Sequence, residues 1–155
     1  MSVILPGSYD PVTNGHLDII RKAAAAFDEV YVVAFINPKK TYTFTVEERV
    51  SMLMLATEGL DNVMVSYSDG RVVDYMRDHG IEKIVKGYRN DVDLAYEREQ
   101  AEYNMNHGGY ETELWHCSDE MKNISSTEAR RLLAEGADLT DILPSSVIDY
   151  IKARR

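Results

Sequence analysis

Residues 3–26 decide the fold, and they read VILPGSYDPVTNGHLDIIRKAAAA. The apolar triplet at residues 3–5 is typical of a short buried strand, which Pro6 and Gly7 end. From Thr13 onward the apolar residues recur at helical spacing, and an alanine run follows them. The stretch therefore predicts a strand, a polar loop and a helix in that order.

The same alternation continues along the chain. Residues 30–36 form a continuous β-branched and aromatic run, which predicts a strand buried on both faces. Thr45 and Glu48 have the spacing of a capping box at the start of a second helix. Further strands are expected at residues 63–65, 81–85 and 112–117, with Asp69 capping the helix between the first two of these. The order β-α-β-α-β-α-β-α-β-α-α predicts an α/β fold with a five-stranded parallel sheet and helices on both faces.

Composition narrows the class of protein. The chain has 155 residues, of which 45% are apolar and 28% charged, so we expect one folded domain over residues 1–155. A net charge of −9 disfavours nucleic acid and anionic membranes as partners. A single cysteine, Cys117, cannot form an internal disulfide. The apolar runs are shorter than the roughly 18–20 residues of a membrane span, and no signal peptide is apparent, so we expect a cytoplasmic protein.

The loop at residues 6–16 is the strongest candidate for a binding site. Ligands of parallel α/β folds bind beyond the carboxyl ends of the strands, where this loop begins. With Thr13 as the N-cap, Gly15 and His16 fall in the first helical turn, which offers free amides and an imidazole to an anion. On spacing alone, a loop glycine and a solvated histidine explain the pattern equally well.

The residues from Gly7 to His16, GSYDPVTNGH, resemble the signature of the (H/T)xGH nucleotidyltransferases. Threonine at the first motif position, together with the preceding Asp-Pro, resembles the phosphopantetheine adenylyltransferases within that superfamily. The resemblance covers nearly the whole chain and continues at Lys39-Lys40, residues 44–49, residues 86–89, Asp93, Tyr96-Glu97, residues 123–127 and residues 141–144.

This resemblance implies a Rossmann-like nucleotidyltransferase that works in coenzyme A biosynthesis. ATP and 4′-phosphopantetheine would give dephospho-coenzyme A and pyrophosphate. A phosphate acceptor is already a nucleophile, so the reaction calls for positioning and charge stabilisation rather than for a serine or cysteine nucleophile. The resemblance also implies a homohexamer. ATP chemistry implies Mg²⁺, held largely by phosphates and water, since magnesium seldom needs an all-protein cage.

The resemblance assigns roles to individual residues. His16 is the expected catalytic residue. The expected ATP-binding residues are Ser8, Tyr9, His16, Gly87, Tyr88, Arg89, Glu97, Met121, Lys122, Asn123, Ile124, Ser125, Ser126 and Thr127. The expected acceptor-binding residues are Ser8, Lys40, Val72 and Lys86.

Two positions depart from the family pattern. Lys86 stands where many relatives carry arginine, which exchanges a bidentate fork for a point charge. Met121 stands where relatives often have an aromatic residue. Without the resemblance, Lys40 reads as part of a solvated lysine pair and Val72 as a core residue. Ser125 likewise reads as a helix cap with Glu128.

Two alternatives to this function stay open. The first is a related nucleotidyltransferase with another acceptor, such as nicotinate mononucleotide or glycerol phosphate, although those relatives usually have histidine where Thr13 stands. The second is a non-catalytic nucleotide-binding module. Pyrophosphate release with a panel of acceptors distinguishes all three.

Overall fold

A computed structural model describes residues 1–154; Arg155, the last residue of the expected domain, lies outside the described residues. The strands are β1 (Ser2–Gly7), β2 (Glu29–Phe35), β3 (Val63–Ser68), β4 (Lys83–Tyr88) and β5 (Thr112–His116). The helices are α1 (Asn14–Ala26), α2 (Val46–Ala56), α3 (Val72–His79), α4 (Asp91–Gly108), α5 (Ser126–Ala134) and α6 (Ser145–Ala153). A short 3-10 helix at Asp119–Met121 precedes α5.

The five strands form one parallel sheet in the order β3-β2-β1-β4-β5. The chain reverses its winding direction between β1 and β4, so β1 lies at the centre and its carboxyl end opens at the switch point. The predicted α/β class and five-stranded parallel sheet are confirmed.

Alternate residues of β1 face two separate hydrophobic cores. Val3 and Leu5 pack in the larger core, to which α1, α2, α5 and α6 contribute. Ile4 packs in the smaller core with Met76 of α3 and Ile84 of β4. Both faces of the central strand are therefore covered, as its uninterrupted apolar run predicts.

The structure corrects two local predictions. Asp69 does not cap α3: Arg71 is the N-cap residue, without a side-chain hydrogen bond. Strand β4 begins at Lys83 rather than Ile81, because the Ile81 amide donates to the Met76 carbonyl behind the left-handed Gly80 that ends α3. At its other end the strand extends to Tyr88, where Gly87 and Tyr88 pair with Trp115 and His116 of β5.

No helix of residues 1–154 is both long and apolar enough to cross a membrane.

Candidate active site

Two adjoining clefts open where β1 and β4 end. We call the first the inner cleft; it is bounded by His16, Tyr88, Arg89 and residues 124–127, with a volume of about 420 Å³. We call the second the outer cleft; it is bounded by Ser8, Lys40, Val72 and Gln100, with a volume of about 730 Å³. Six residues line both clefts, namely Pro6, Gly7, Lys40, Lys86, Tyr96 and Glu97.

His16 is the third residue of α1 and is held by a reciprocal cap. The Thr13 hydroxyl accepts from the His16 amide at 3.3 Å, and the Thr13 amide donates to His16 Nδ1 at 3.0 Å. An amide can only donate, so Nδ1 is the acceptor and the neutral ring carries its proton on Nε2. The helix cap therefore leaves an Nε2–H donor for the cleft that His16 lines.

Burial and two cations keep this imidazole neutral. Burial is the largest influence, and the charges of Lys86 and Arg89 add to it, lowering the pKa of His16 to about 4. The Tyr9 ring packs edge-on against the imidazole with 4.9 Å between the ring centroids. At neutral pH His16 is thus a hydrogen-bond donor without charge, suited to an oxygen that gains negative charge during a reaction.

Lys86 and Glu97 meet at the boundary of the two clefts. The Lys86 ammonium donates to the Pro6 carbonyl at 2.9 Å and lies 3.7 Å from Glu97 Oε2. Burial raises the pKa of the Glu97 carboxyl, and the nearby Lys86 opposes that rise. Lys86 therefore crosses from β4 to β1 as a fixed point charge, the geometry that a lysine rather than an arginine supplies.

Arg89 and Lys40 add two further cations to the lining of the inner cleft. Asp93, one helical turn later, accepts from Arg89 through the guanidinium and the backbone amide, with Nε and Oδ2 2.9 Å apart. Lys40 reaches back from the β2–α2 loop and donates to the Ser8 hydroxyl at 3.3 Å. The cleft thus carries several positive groups in a chain whose net charge is −9.

The start of α5 completes the inner cleft. Ser125 caps the helix by accepting from the Glu128 amide at 3.1 Å. The Ser126 hydroxyl donates to the Pro11 carbonyl, whereas the Thr127 hydroxyl oxygen accepts from Arg130 and keeps its proton for a ligand. Two helix N-termini, those of α1 and α5, therefore border one cleft, an arrangement suited to a polyphosphate.

The structure brings most of the predicted site residues together. Those that line the inner cleft are Tyr9, His16, Gly87, Tyr88, Arg89, Glu97, Met121, Ile124, Ser125, Ser126 and Thr127. All four expected acceptor residues, Ser8, Lys40, Val72 and Lys86, line the outer cleft. Ser8 lines only the outer cleft, and Lys122 and Asn123 are exposed and lie outside both linings. The substrate-binding roles of all these residues stay predictions.

Sequence reasoning missed residues that support or line the site. Cys117 is not a strand residue: β5 ends at His116, and Cys117 lines the inner cleft. The buried Asp10 carboxylate accepts from the Thr43 and Phe44 amides at 2.9 Å each, which ties the β1–α1 loop to the β2–α2 loop. The position of Cys117 directly after a strand was a usable signal.

Comparisons with known proteins agree with this arrangement. Residues 4–132 match the family described as cytidylyltransferase-like. The fold is shared by a solved structure from Vibrio parahaemolyticus, provisionally assigned as a nicotinate-nucleotide adenylyltransferase. Its TM-score is 0.70 at 16% identity, over 98% of this chain and 91% of that one. The family match and the shared fold are those of a nucleotidyltransferase.

A phosphopantetheine adenylyltransferase of Corynebacterium efficiens is 39% identical over 155 residues, which cover 99% of this chain and 98% of the relative. The chain belongs to the phosphopantetheine adenylyltransferase family.

Proposed function

We propose that the protein transfers the adenylyl group of ATP to 4′-phosphopantetheine and releases pyrophosphate. One observation carries the proposal: His16, Lys86, Arg89 and the start of α5 line a single cleft that adjoins a second one through Lys40 and Glu97. ATP occupies the inner cleft and the acceptor occupies the outer cleft. The two reacting phosphates meet at the shared wall, beside Gly7.

The chemistry follows from the groups at that wall. An oxygen of the acceptor phosphate attacks the α-phosphorus, its bond to that phosphorus forms, and the bond from the α-phosphorus to the bridging oxygen breaks. The electron pair leaves with pyrophosphate, so no proton has to be removed from the nucleophile. His16 donates Nε2–H to the reacting phosphoryl group, while Lys86 and Arg89 offset the charge of the leaving pyrophosphate.

The acceptor is recognised first by its phosphate. Lys40 and Ser8, already joined by a hydrogen bond, bind that phosphate where the outer cleft adjoins the inner cleft. The rest of the acceptor extends past Val72 of α3 towards Gln100 of α4, along a wall that is partly apolar.

Mg²⁺ enters with ATP rather than as a resident of the protein. Among residues 1–154 no group of three histidine, cysteine, aspartate or glutamate side chains could hold a metal ion. The carboxylates nearest the cleft, Asp93 and Glu97, already face Arg89 and Lys86. On this proposal the ATP phosphates and water supply most of the Mg²⁺ ligands, as is common for this ion.

We further propose a homohexamer that works in the cytoplasm in coenzyme A synthesis. Exposed apolar side chains along α4 support self-association: Val92 is 79% exposed, and Tyr96, Tyr103 and Met105 accompany it. Light scattering of the purified protein measures this directly, and a monomer at micromolar concentration would contradict it.

An acceptor-screened pyrophosphate assay tests the activity. The protein is incubated with ATP, Mg²⁺ and either 4′-phosphopantetheine, nicotinate mononucleotide or glycerol phosphate, and pyrophosphate and the adenylylated product are both measured. We expect turnover with 4′-phosphopantetheine alone. Turnover with only another acceptor would assign the chain to a different activity, and nucleotide binding without pyrophosphate release would leave a binding module.

A further inference from the structure

Arg49 is a buried cation that stability alone does not explain. Its side chain lies in the first turn of α2, and the residue is 2% exposed. Among the described residues no carboxylate lies within 4.0 Å of its guanidinium, and its Nε has no hydrogen-bond partner. A buried unpaired charge is costly, and a cation near a helix N-terminus opposes the helix dipole.

The contacts of Arg49 lead to the two loops that flank the outer cleft. Its Nη1 donates to the Ser8 carbonyl at 2.9 Å, and its guanidinium stacks on the Tyr42 ring 3.9 Å from the centroid. The Tyr42 hydroxyl in turn accepts from the Asn37 amide at 2.8 Å. One side chain of α2 thus braces both the β1–α1 loop and the β2–α2 loop.

The peptide bond between Ser8 and Tyr9 is the group that Arg49 holds. A trans peptide is planar, so its carbonyl and its N–H point to opposite sides. Because the Ser8 carbonyl points to Arg49, the Tyr9 N–H points away from it, and this N–H has no hydrogen-bond partner among residues 1–154. Tyr9 itself has a φ of +50°, a strained conformation for a tyrosine that persists only when its surroundings enforce it.

We propose that Arg49 is a positioning residue, which fixes the Ser8–Tyr9 peptide so that the Tyr9 N–H donates to a phosphate oxygen at the wall shared by the two clefts. Arg49 touches neither substrate and acts through Ser8. If a carboxylate paired with Arg49, the guanidinium could turn away from the Ser8 carbonyl. The inference rests on the proposed adenylyl transfer for its kinetic consequences, but not for the orientation of the peptide.

The kinetic test uses Arg49→Ala, Arg49→Lys and the exposed control Arg21→Ala. Misplacing a reacting group by about 1 Å can cost about 100-fold in rate, so we expect kcat of Arg49→Ala to fall by up to about 100-fold. KM for both substrates should change by less than about threefold, because the alignment that Arg49 supplies matters most in the transition state. Arg49→Lys, with a point charge in place of the fork, should be intermediate, and Arg21→Ala should match the wild type.

Chemical rescue separates positioning from general destabilisation. Guanidinium at non-denaturing concentrations should occupy the space beside Tyr42 and restore kcat of Arg49→Ala at least about tenfold, whereas sodium chloride should not. Absence of rescue in a folded Arg49→Ala, or a normal kcat in it, would overturn the proposal. If Arg49→Ala does not fold, a normal kcat in folded Arg49→Lys would overturn the proposal.

An amide measurement keeps the proposal independent of turnover. Inorganic pyrophosphate added to the ¹⁵N-labelled wild-type protein should shift the Tyr9 amide resonance, and the shift should shrink in Arg49→Lys. An unmoved Tyr9 resonance in a wild-type protein that binds pyrophosphate overturns the positioning role. Inactivity of the wild type with every acceptor, together with the expected amide shift, would instead overturn the proposed function alone.

Discussion

Helices α1 and α2 begin with the same device and use it for different ends. In α2 the Thr45 hydroxyl accepts from the Glu48 amide at 3.1 Å, and a Glu48 oxygen accepts from the Thr45 amide at 2.9 Å. In α1 the same two bonds join Thr13 and His16. The second polar atom of Glu48 pairs with Arg154 on the surface, whereas the second nitrogen of His16 is left for the cleft.

The difference shows how a helix-capping pattern can position a side chain for a reaction. A capping box fixes the side chain of its third helical residue, provided that this side chain can accept a hydrogen bond from the N-cap amide. With glutamate, the fixed group finishes a helix. With histidine, it is a donor of known tautomer at a helix N-terminus, held before any ligand arrives.

Replacing the third residue of each box should give the largest contrast. His16→Gln can keep the cap, because glutamine is a normal residue of such boxes, but it loses the imidazole. We expect kcat to fall about 10²–10³-fold, as loss of one transition-state donor usually does, with a nearly unchanged melting temperature. Glu48→Gln, the matched control, should change neither. Near-normal turnover in folded His16→Gln would remove the catalytic role of His16.

Replacing the threonine of the α1 box should have a smaller effect on turnover. Thr13→Val keeps the amide that donates to Nδ1 but loses the hydroxyl that holds the helix start. We expect kcat to fall about tenfold and the free energy of unfolding to fall by about 1–2 kcal/mol. Thr13→Ser should recover both. If Thr13→Val loses stability while kcat stays normal, the cap and the reaction are not coupled.

The same change in the α2 box should affect stability alone. Thr45→Val removes an equivalent hydroxyl, so we expect a loss of about 1 kcal/mol in the free energy of unfolding and a kcat within about twofold of the wild type. Urea denaturation and steady-state kinetics measure the two quantities. A tenfold loss of kcat would show that both boxes serve the reaction.

Acidification should change the α1 box only at low pH. Because the pKa of His16 is lowered to about 4, the ring stays neutral and Nδ1 keeps accepting down to about pH 5. The ratio of kcat/KM for ATP between the wild type and His16→Gln should therefore be constant from about pH 5.5 to 8. A ratio that rises below about pH 6.5 would show that the imidazolium is the active form.

Stability should follow the same titration. The unfolded chain binds a proton at His16 near its ordinary pKa of 6.5, whereas the folded chain resists it down to about 4. Between those values the unfolded state holds more protons, so the free energy of unfolding rises with pH in that window. His16→Gln should reduce the slope there, and an unchanged slope would contradict the lowered pKa.

The sheet was predictable because its strands have a clear apolar pattern in the sequence. Residues 30–36 are apolar on both faces, and only a strand covered on two sides explains such a run. The predicted start of β4 at Ile81 was too early, because the Ile81 amide bonds back to the end of α3 instead of to the sheet. The left-handed glycine that allows this bond has no signature in the hydropathy pattern.

The residues that line the site could be predicted in outline, whereas the contacts that hold them in place could not. His16 and the start of α5 follow strands or open helices, where the topology gathers them. The bond from the Thr13 amide to the imidazole follows no standard pattern, since a box of this kind normally has glutamate or glutamine third. Arg49 was overlooked because an arginine in a capped helix reads as solvated, and only packing shows that its guanidinium is buried.

The central strand β1 ends between the two clefts. The residues that line the outer cleft away from β1 therefore come from other elements of the chain. Val72 comes from α3 and Gln100 from α4, whereas His16 and the α5 start stand on the opposite side. On the proposed binding mode, substitutions at Val72 and Gln100 should therefore alter which molecule is adenylylated without disturbing the groups that line the inner cleft. Proteins that share this sheet can therefore differ in their acceptors while they keep the same phosphoryl-transfer step.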